Sequence, residues 1–462
     1  MTARKNFSFD KHLGLMLLAV LAASPLRPGA ANPAIGNEQP RPRAVLIRDV
    51  AVWDGESEQA LPHQDVLIRG RFIEAVGPNL APADAADAER IDGGGRTLIP
   101  GLSDAHRHLM LNLPPAEFLN APWAYPAARA VRAAEDTLLM GFTTVRDMGG
   151  PVMGLKRAID EGIVPGPRIY PSGAMISQTS GHGDLRPRSE LDHHLTGGSA
   201  DIFQLTGWSF IVNGRAEVLR AVRENLRQGV AQIKMMAGGG ITSPNDPLNT
   251  VQFTEDELRA GVEAATDWGT YVAVHAYTPE SIMRSLAAGA RSVEHGQLAD
   301  ATAMRAIKEH DAFLVPQAYW VYRDPYTARH PDKFLEVQRG TQHEMDLAKE
   351  YDVTVAFGTD VFGSLGIESA ALQEFTARAR WYAPVDILRQ ATSINGRLFA
   401  LSGALNPYPD GPLGVIRPGA YADLLIYDGN PLEDIAVLAR PEETLKLVMK
   451  DGVIYKNELP RP

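Results

Sequence analysis

The chain has no cysteine, which rules out a disulfide framework and a thiolate metal site. A bound metal ion would have to sit on imidazole, carboxylate or a lysine-derived oxygen. Basic residues are outnumbered, with 45 Lys and Arg against 56 Asp and Glu and a net charge of -11. A phosphate backbone needs a basic face, so no nucleic-acid partner is expected. Beyond the N-terminal region no apolar run approaches the roughly 18 residues that span a bilayer. No solenoid-type repeat or low-complexity tract stands out.

What remains is 462 residues, 45% hydrophobic and 22% charged, room for one large domain and a smaller one. Residues 1–31 read as a cleavable signal peptide: Arg4, Lys5 and Lys11 flank an apolar stretch at 13–23, and Gly29, Ala30 and Ala31 offer small residues for cleavage. A periplasmic or secreted protein without a stable membrane anchor is the expectation. Residues 32–97 and 406–462 each hold short strand candidates broken by Gly and Pro, among them 44–47, 51–54, 65–69, 71–77, 414–416, 422–427, 445–450 and 453–456. They are expected to form one small β-sandwich built from both terminal regions.

Between them, 98–405 alternates short apolar runs with helical stretches. Strands are predicted at 98–110, 143–148, 168–176, 231–236, 271–276, 292–296, 313–318 and 353–358, and helices at 127–140, 216–228, 254–268 and 279–288. About eight such repeats predict an α/β fold with a (β/α)8 TIM-like barrel. In that fold the chemistry sits where the strands end. There the sequence places His106 and His108, then Lys234, His275, His295 and Asp360. Alternation along a strand turns His106 and His108 to one face and Arg107 to the other. A packed strand has no structural need for these polar side chains.

Four imidazoles, a carboxylate and an amine suit divalent ions, zinc foremost. A lysine desolvated at a barrel mouth can be neutral, add carbon dioxide and become a carbamate, an anion able to bridge two ions. His106 and His108 would then hold one metal, His275 and His295 the second, with Lys234 between and Asp360 near the first. A hydroxide shared by the two ions would be the nucleophile and Asp360 the proton shuttle.

This ligand set resembles the binuclear amidohydrolase superfamily, over nearly the whole chain after the signal. The segments 141–147, 177–184, 234–239, 274–277 and 294–296 resemble its Xaa-Pro dipeptidase-like branch, which includes ochratoxin-hydrolysing amidases. The resemblance implies a CO2-derived carbamate on Lys234, two zinc ions, and hydrolysis of an amide whose leaving amino acid has a free carboxylate. It also implies a large homo-oligomer such as an octamer. Arg107 stands where the family places a small or aliphatic residue, with an effect expected on packing and not on ligation. Tyr277 is positioned to donate to the developing oxyanion, and His182 looks like the family's contact to the substrate carboxylate. Arg186 and Arg188 are further, solvated candidates for that contact. The long segment after strand seven, with Tyr319, Trp320, Tyr322 and Tyr326, is aromatic enough to wall an apolar acyl pocket.

The expected activity is cleavage of N-acyl or N-aminoacyl amino acids, in the manner of a carboxypeptidase or dipeptidase, with ochratoxin A among the plausible substrates. The alternatives on the same fold are a lactonase, a deaminase and a non-catalytic scaffold. A deaminase fits less well, because Tyr277, Thr278 and Pro279 stand where a glutamate is usual after the strand-five histidine.

Overall fold

Apolar residues recurring along Val45–Val52 form the first strand, β1. The computed structural model describes residues 44–80, 88–118, 120–122, 124–243, 245–324, 326, 330–362 and 369–459. The expected signal peptide, 1–31, lies outside these residues. β2 (Leu61–Arg69) pairs antiparallel with one edge of β1, and β3 (Phe72–Gly77) with β2. The other edge of β1 forks. Its first half runs parallel to β4 (Glu89–Asp92), whereas Ala51 and Val52 run parallel to β5 (Thr97–Pro100). Asp49, at φ 50°, sits in the register shift between these halves, so the two strands predicted here are one bulged strand.

Gly101 ends that sheet and opens the next. Its amide donates to the Asp423 carbonyl at 2.8 Å, and a Cβ there would lie 2.1 Å from Thr143 Oγ1, so only glycine passes. The single strand predicted at 98–110 is therefore two strands in two sheets. β6 (Leu102–Arg107), β7 (Phe142–Asp147) and β8 (Arg168–Pro171) form a parallel three-stranded sheet. Pro171 and Gly173, the latter at φ 70°, interrupt the strand predicted at 168–176, which resumes as β9 (Met175–Ser177). With β10 (Ser209–Ile211), β11 (Ile233–Met236), β12 (Val272–Ala276), β13 (Ser292–His295) and β14 (Phe313–Val315) it makes a parallel six-stranded sheet.

The last predicted strand, 353–358, survives as an isolated bridge from Leu314 to Val355, with a second from Arg107 to Val361 just beyond it. Side chains complete its bonding. Asn395 donates to the Ser103 and Phe357 carbonyls and accepts from the Phe357 amide, satisfying backbone groups that a regular ladder would have paired. The predicted helices appear as Ala124–Leu139, Arg215–Gln228, Glu255–Asp267 and Pro279–Ala288, the third opened by a capping box between Thr254 and Glu257. Their apolar stripes bury Val218, Val222, Leu258, Ile282 and Leu286 against Ile233, Val274 and Val293 of the strands, at roughly 1.5–3 kcal/mol per large side chain.

β15 (Leu424–Tyr427), β16 (Leu445–Lys450) and β17 (Val453–Asn457) return to the first sheet, β15 pairing antiparallel with β5. The sheet order is β17-β16-β15-β5-β1-β2-β3, with β4 beside β1. Alternate residues of β15 enter different cores: Leu424 and Ile426 pack with Val45 and Ile47, and Leu425 and Tyr427 with Ile99 and Phe142. β15 and β5 are buried on both faces. The strand predicted at 414–416 does not form, because Gly414 adopts φ 73° where a Cβ would lie 2.3 Å from the Thr392 carbonyl oxygen. Among the described residues no helix is long and apolar enough to cross a membrane.

Candidate metal centre

The first histidines are fixed by backbone geometry. Asp104 accepts from the His106 amide at 3.1 Å, the Thr359 amide at 3.0 Å and the Thr359 hydroxyl at 2.6 Å, tying the 358–360 turn to β6. Gly358 lets that turn pass, since a Cβ there would lie 2.9 Å from His106 Cβ. His295 at φ 76° and Asp360 at φ 52° both hold left-handed backbone. Such strain costs roughly 1–3 kcal/mol per residue and persists only where the surroundings over-determine it.

The result is one cluster. A ligand atom each from His106, His295 and Asp360 lies within 4.8 Å of the others. His106 Nε2 and His108 Nε2 stand 3.5 and 3.3 Å from the same Asp360 Oδ1. The His275 and His295 ring centroids are 4.4 Å apart, and those of His106 and His295 5.0 Å.

The second nitrogen of each ring faces a hydrogen-bond acceptor. His106 Nδ1 donates to Glu294 Oε2 at 2.7 Å, His108 Nδ1 to the Gly149 carbonyl at 3.3 Å, and His275 Nε2 to the Gly239 carbonyl at 3.1 Å. His295 Nδ1 meets Gln317 Oε1 at 2.7 Å, and Gln317 is fixed as acceptor because its Nε2 donates to the Val315 carbonyl. Each neutral imidazole thus turns a lone pair the other way. Burial pushes His106, His275 and His295 below the usual imidazole range, His295 to about 4, aided at His106 and His295 by Lys234 and at His275 by His182. Lone pairs from His106 and His108 aimed at one carboxylate oxygen repel unless a cation lies between them, so the residues fit a metal ion.

Lys234 is 1% exposed within β11 and lies close enough to weigh on the titration of His106, His275 and His295. Burial lowers its amine to about 8, the Glu294 and Asp360 carboxylates opposing and Arg146 assisting. At Asp360 burial pushes the carboxyl up, but the facing His106, His295 and His108 rings more than reverse this and hold it below the ordinary range.

Sequence reasoning assigned no role to the pair beneath. Arg146 Nη2 donates to Glu294 Oε1 at 2.8 Å, and its other nitrogens reach the Ala105 carbonyl, Tyr271 and Ser292. Both side chains are fully buried. Glu294 in turn holds His106 and so fixes the orientation of that ring. Arg146 and Glu294 are each a charged residue inside a strand that the structure buries along its whole length.

Tyr277 is buried, its ring stacked on His295 at 5.0 Å and edge-on to His275 at 5.2 Å. Burial, then the Asp360, Glu344 and Asp246 carboxylates, hold its phenol well above 10, so it is a hydroxyl donor. His182 lies flat on His275 at 4.1 Å, with Nδ1 2.9 Å from Ser243 Oγ and 3.3 Å from Asp246 Oδ2. Arg107 points away from the cluster, donating to Thr137 on the helix Ala124–Leu139. Arg186 is not solvated: it is buried in a two-bond pair with Asp184, and Arg188 donates to Asn245. Trp320 packs against Tyr319, Phe334 and Phe362, and Phe362 against His108, whereas Tyr326 is exposed.

Residues 97–455 match the model of the Amidohydrolase family. Ochratoxinase of Aspergillus niger is 31% identical over 463 aligned positions, covering 92% of this chain and 91% of that protein. The structure of a prolidase complexed with N-methylphosphonate-L-proline superposes with a TM-score of 0.80 at 34% identity, over 90% of this chain and 100% of that one. A Xaa-Pro dipeptidase with bound methionine in the active site gives 0.77 at 30% identity, over 90% and 100%. The protein belongs to the amidohydrolase family and is an amide-hydrolysing enzyme of that superfamily.

Proposed function

We propose that the protein cleaves the amide bond of N-acyl or N-aminoacyl amino acids bearing a free carboxylate, in the manner of a carboxypeptidase or dipeptidase, with ochratoxin A among its substrates. The observation that carries this is the set of four imidazoles whose outer nitrogens are tied to acceptors while their lone pairs are left for cations. Two divalent ions, zinc foremost, would be held by His106, His108 and Asp360 and by His275 and His295, with Lys234 between them as a carbamate. When bound they supply Lewis acidity toward an amide carbonyl and ionise water near neutral pH.

The protein's own groups do the rest. Asp360 accepts the proton of the attacking water and delivers it to the leaving nitrogen. The Tyr277 hydroxyl donates to the carbonyl oxygen as charge develops there, and His182 holds the leaving amino acid by its carboxylate. In this reading the parallel strands of 98–405 close into a (β/α)8 barrel, and 32–97 with 406–462 form the accompanying β-sandwich. Export to the periplasm or the medium, and assembly into a homo-oligomer, complete the proposal.

A panel of N-blocked dipeptides beside ochratoxin A, assayed with zinc for free amino acid, is the test. Stoichiometric release of the C-terminal amino acid is expected. Release of ammonia would assign a deaminase, and turnover of lactones alone a lactonase.

A further inference from the structure

We propose that Lys333 is a positioning residue that sets the grip of this site on the substrate carboxylate, by clamping the loop that orients His182. The inference rests on the reading above, in which His182 meets that carboxylate. Lys333 stands in the first turn of the helix Pro331–Glu350. Its Nζ donates to the Gly240 carbonyl at 3.0 Å, the Ser243 carbonyl at 3.1 Å and the Asp246 carbonyl at 2.5 Å. An ammonium has three N–H groups, and all are used here. Three carbonyl oxygens converging on one point repel one another without a cation, so the placement of Gly240, Ser243 and Asp246 depends on this charge.

What that loop holds is His182. Ser243 and Asp246 are hydrogen-bonded to each other and both face His182 Nδ1. Asp246 Oδ2 also accepts from the Gly240 amide at 2.9 Å and from Gln252 Nε2 at 3.3 Å, and Gln252 Oε1 accepts from the His182 amide at 2.8 Å. The imidazole packs directly on the loop backbone: a Cβ on Gly240 would lie 2.0 Å from His182 Cε1. With His275 against its other side, the ring is oriented by a loop whose shape the ammonium fixes.

Lys333→Ala and His182→Ala, each zinc-loaded and checked for a native circular dichroism spectrum, are compared with wild type on an N-blocked amino acid and its C-terminal carboxamide. For Lys333→Ala, KM for the carboxylate substrate rises about tenfold, kcat stays within about twofold, and the carboxamide is unaffected. Backbone amides of 239–252 exchange hydrogen faster, and ethylammonium, which refills the truncated space with a cation, reverses both changes. Unchanged KM and unchanged exchange in Lys333→Ala, with KM raised in His182→Ala, overturns the role of Lys333 and spares the carboxylate reading. Equal loss of kcat on both substrates without rescue overturns it as well. Unchanged KM in His182→Ala overturns the carboxylate reading, and with it the proposed effect of Lys333 on that grip.

Discussion

Lys234 and Lys450 are both buried in strands, and burial is the main cause that brings each amine from 10.5 to about 8. In β16 the Lys450 ammonium donates to the Gly166 carbonyl at 2.6 Å, with Arg168 lowering its pKa further and Asp423 and Asp451 opposing. In β11 the Lys234 amine has no hydrogen-bond partner among the described residues and faces histidines whose outer nitrogens are engaged. A depressed lysine is therefore a product of burial anywhere in this fold. What separates a structural amine from a reactive one is whether it is already bonded and what surrounds it.

The comparison breaks most sharply by substitution. Lys234→Met is expected to lower kcat/KM by about a thousandfold or more, the loss of a group acting in the transition state, with a native circular dichroism spectrum. Lys450→Met should stay within about twofold of wild type. Chelation should abolish wild-type turnover and zinc restore it; equal activity of the two variants would erase the distinction.

Beneath Lys234, Arg146→Met leaves Glu294 buried without its cation and is expected to cost about 3–5 kcal/mol in denaturant unfolding. A loss under 1 kcal/mol would show that the pair does not brace His106. His182→Ala should raise KM for carboxylate-bearing substrates about tenfold to a hundredfold with little change in kcat, as a lost charge-assisted contact does.

Lys450 is expected to act on stability and not on turnover. Its folded pKa lies below its unfolded one, so between about pH 8 and 10.5 the unfolded chain binds more protons and stability rises with pH. The gain across that window is roughly 3 kcal/mol. Lys450→Met should lose this share of the rise and keep the share that Lys234 contributes, read as Tm against pH; parallel wild-type and variant curves would refute it.

Much of the candidate cluster was legible because its residues interrupt or end apolar runs, where a packed strand has no use for them. Lys234 between Ile233 and Met235 and His295 after Val293 are of this kind. Their supports were harder to see. Glu294 and Arg146 look like surface alternation until both flanking faces are known to be buried, and Lys333 acts on carbonyls some 90 positions earlier in the chain. The strand breaks at Gly101 and Gly173 were hidden for a related reason: hydropathy continues through both, and only the close approach of Thr143 or the left-handed backbone at Gly173 forces them.

If Lys234 takes up carbon dioxide because its amine is the unbonded one, the product is a carbamate on this residue. The most direct measurement is carbon-13 NMR of the zinc-loaded protein equilibrated with labelled bicarbonate. One carbamate carbon per chain, absent in Lys234→Met and retained in Lys450→Met, is the predicted result. No carbamate signal in active wild-type enzyme, or one that survives in Lys234→Met, would contradict the account.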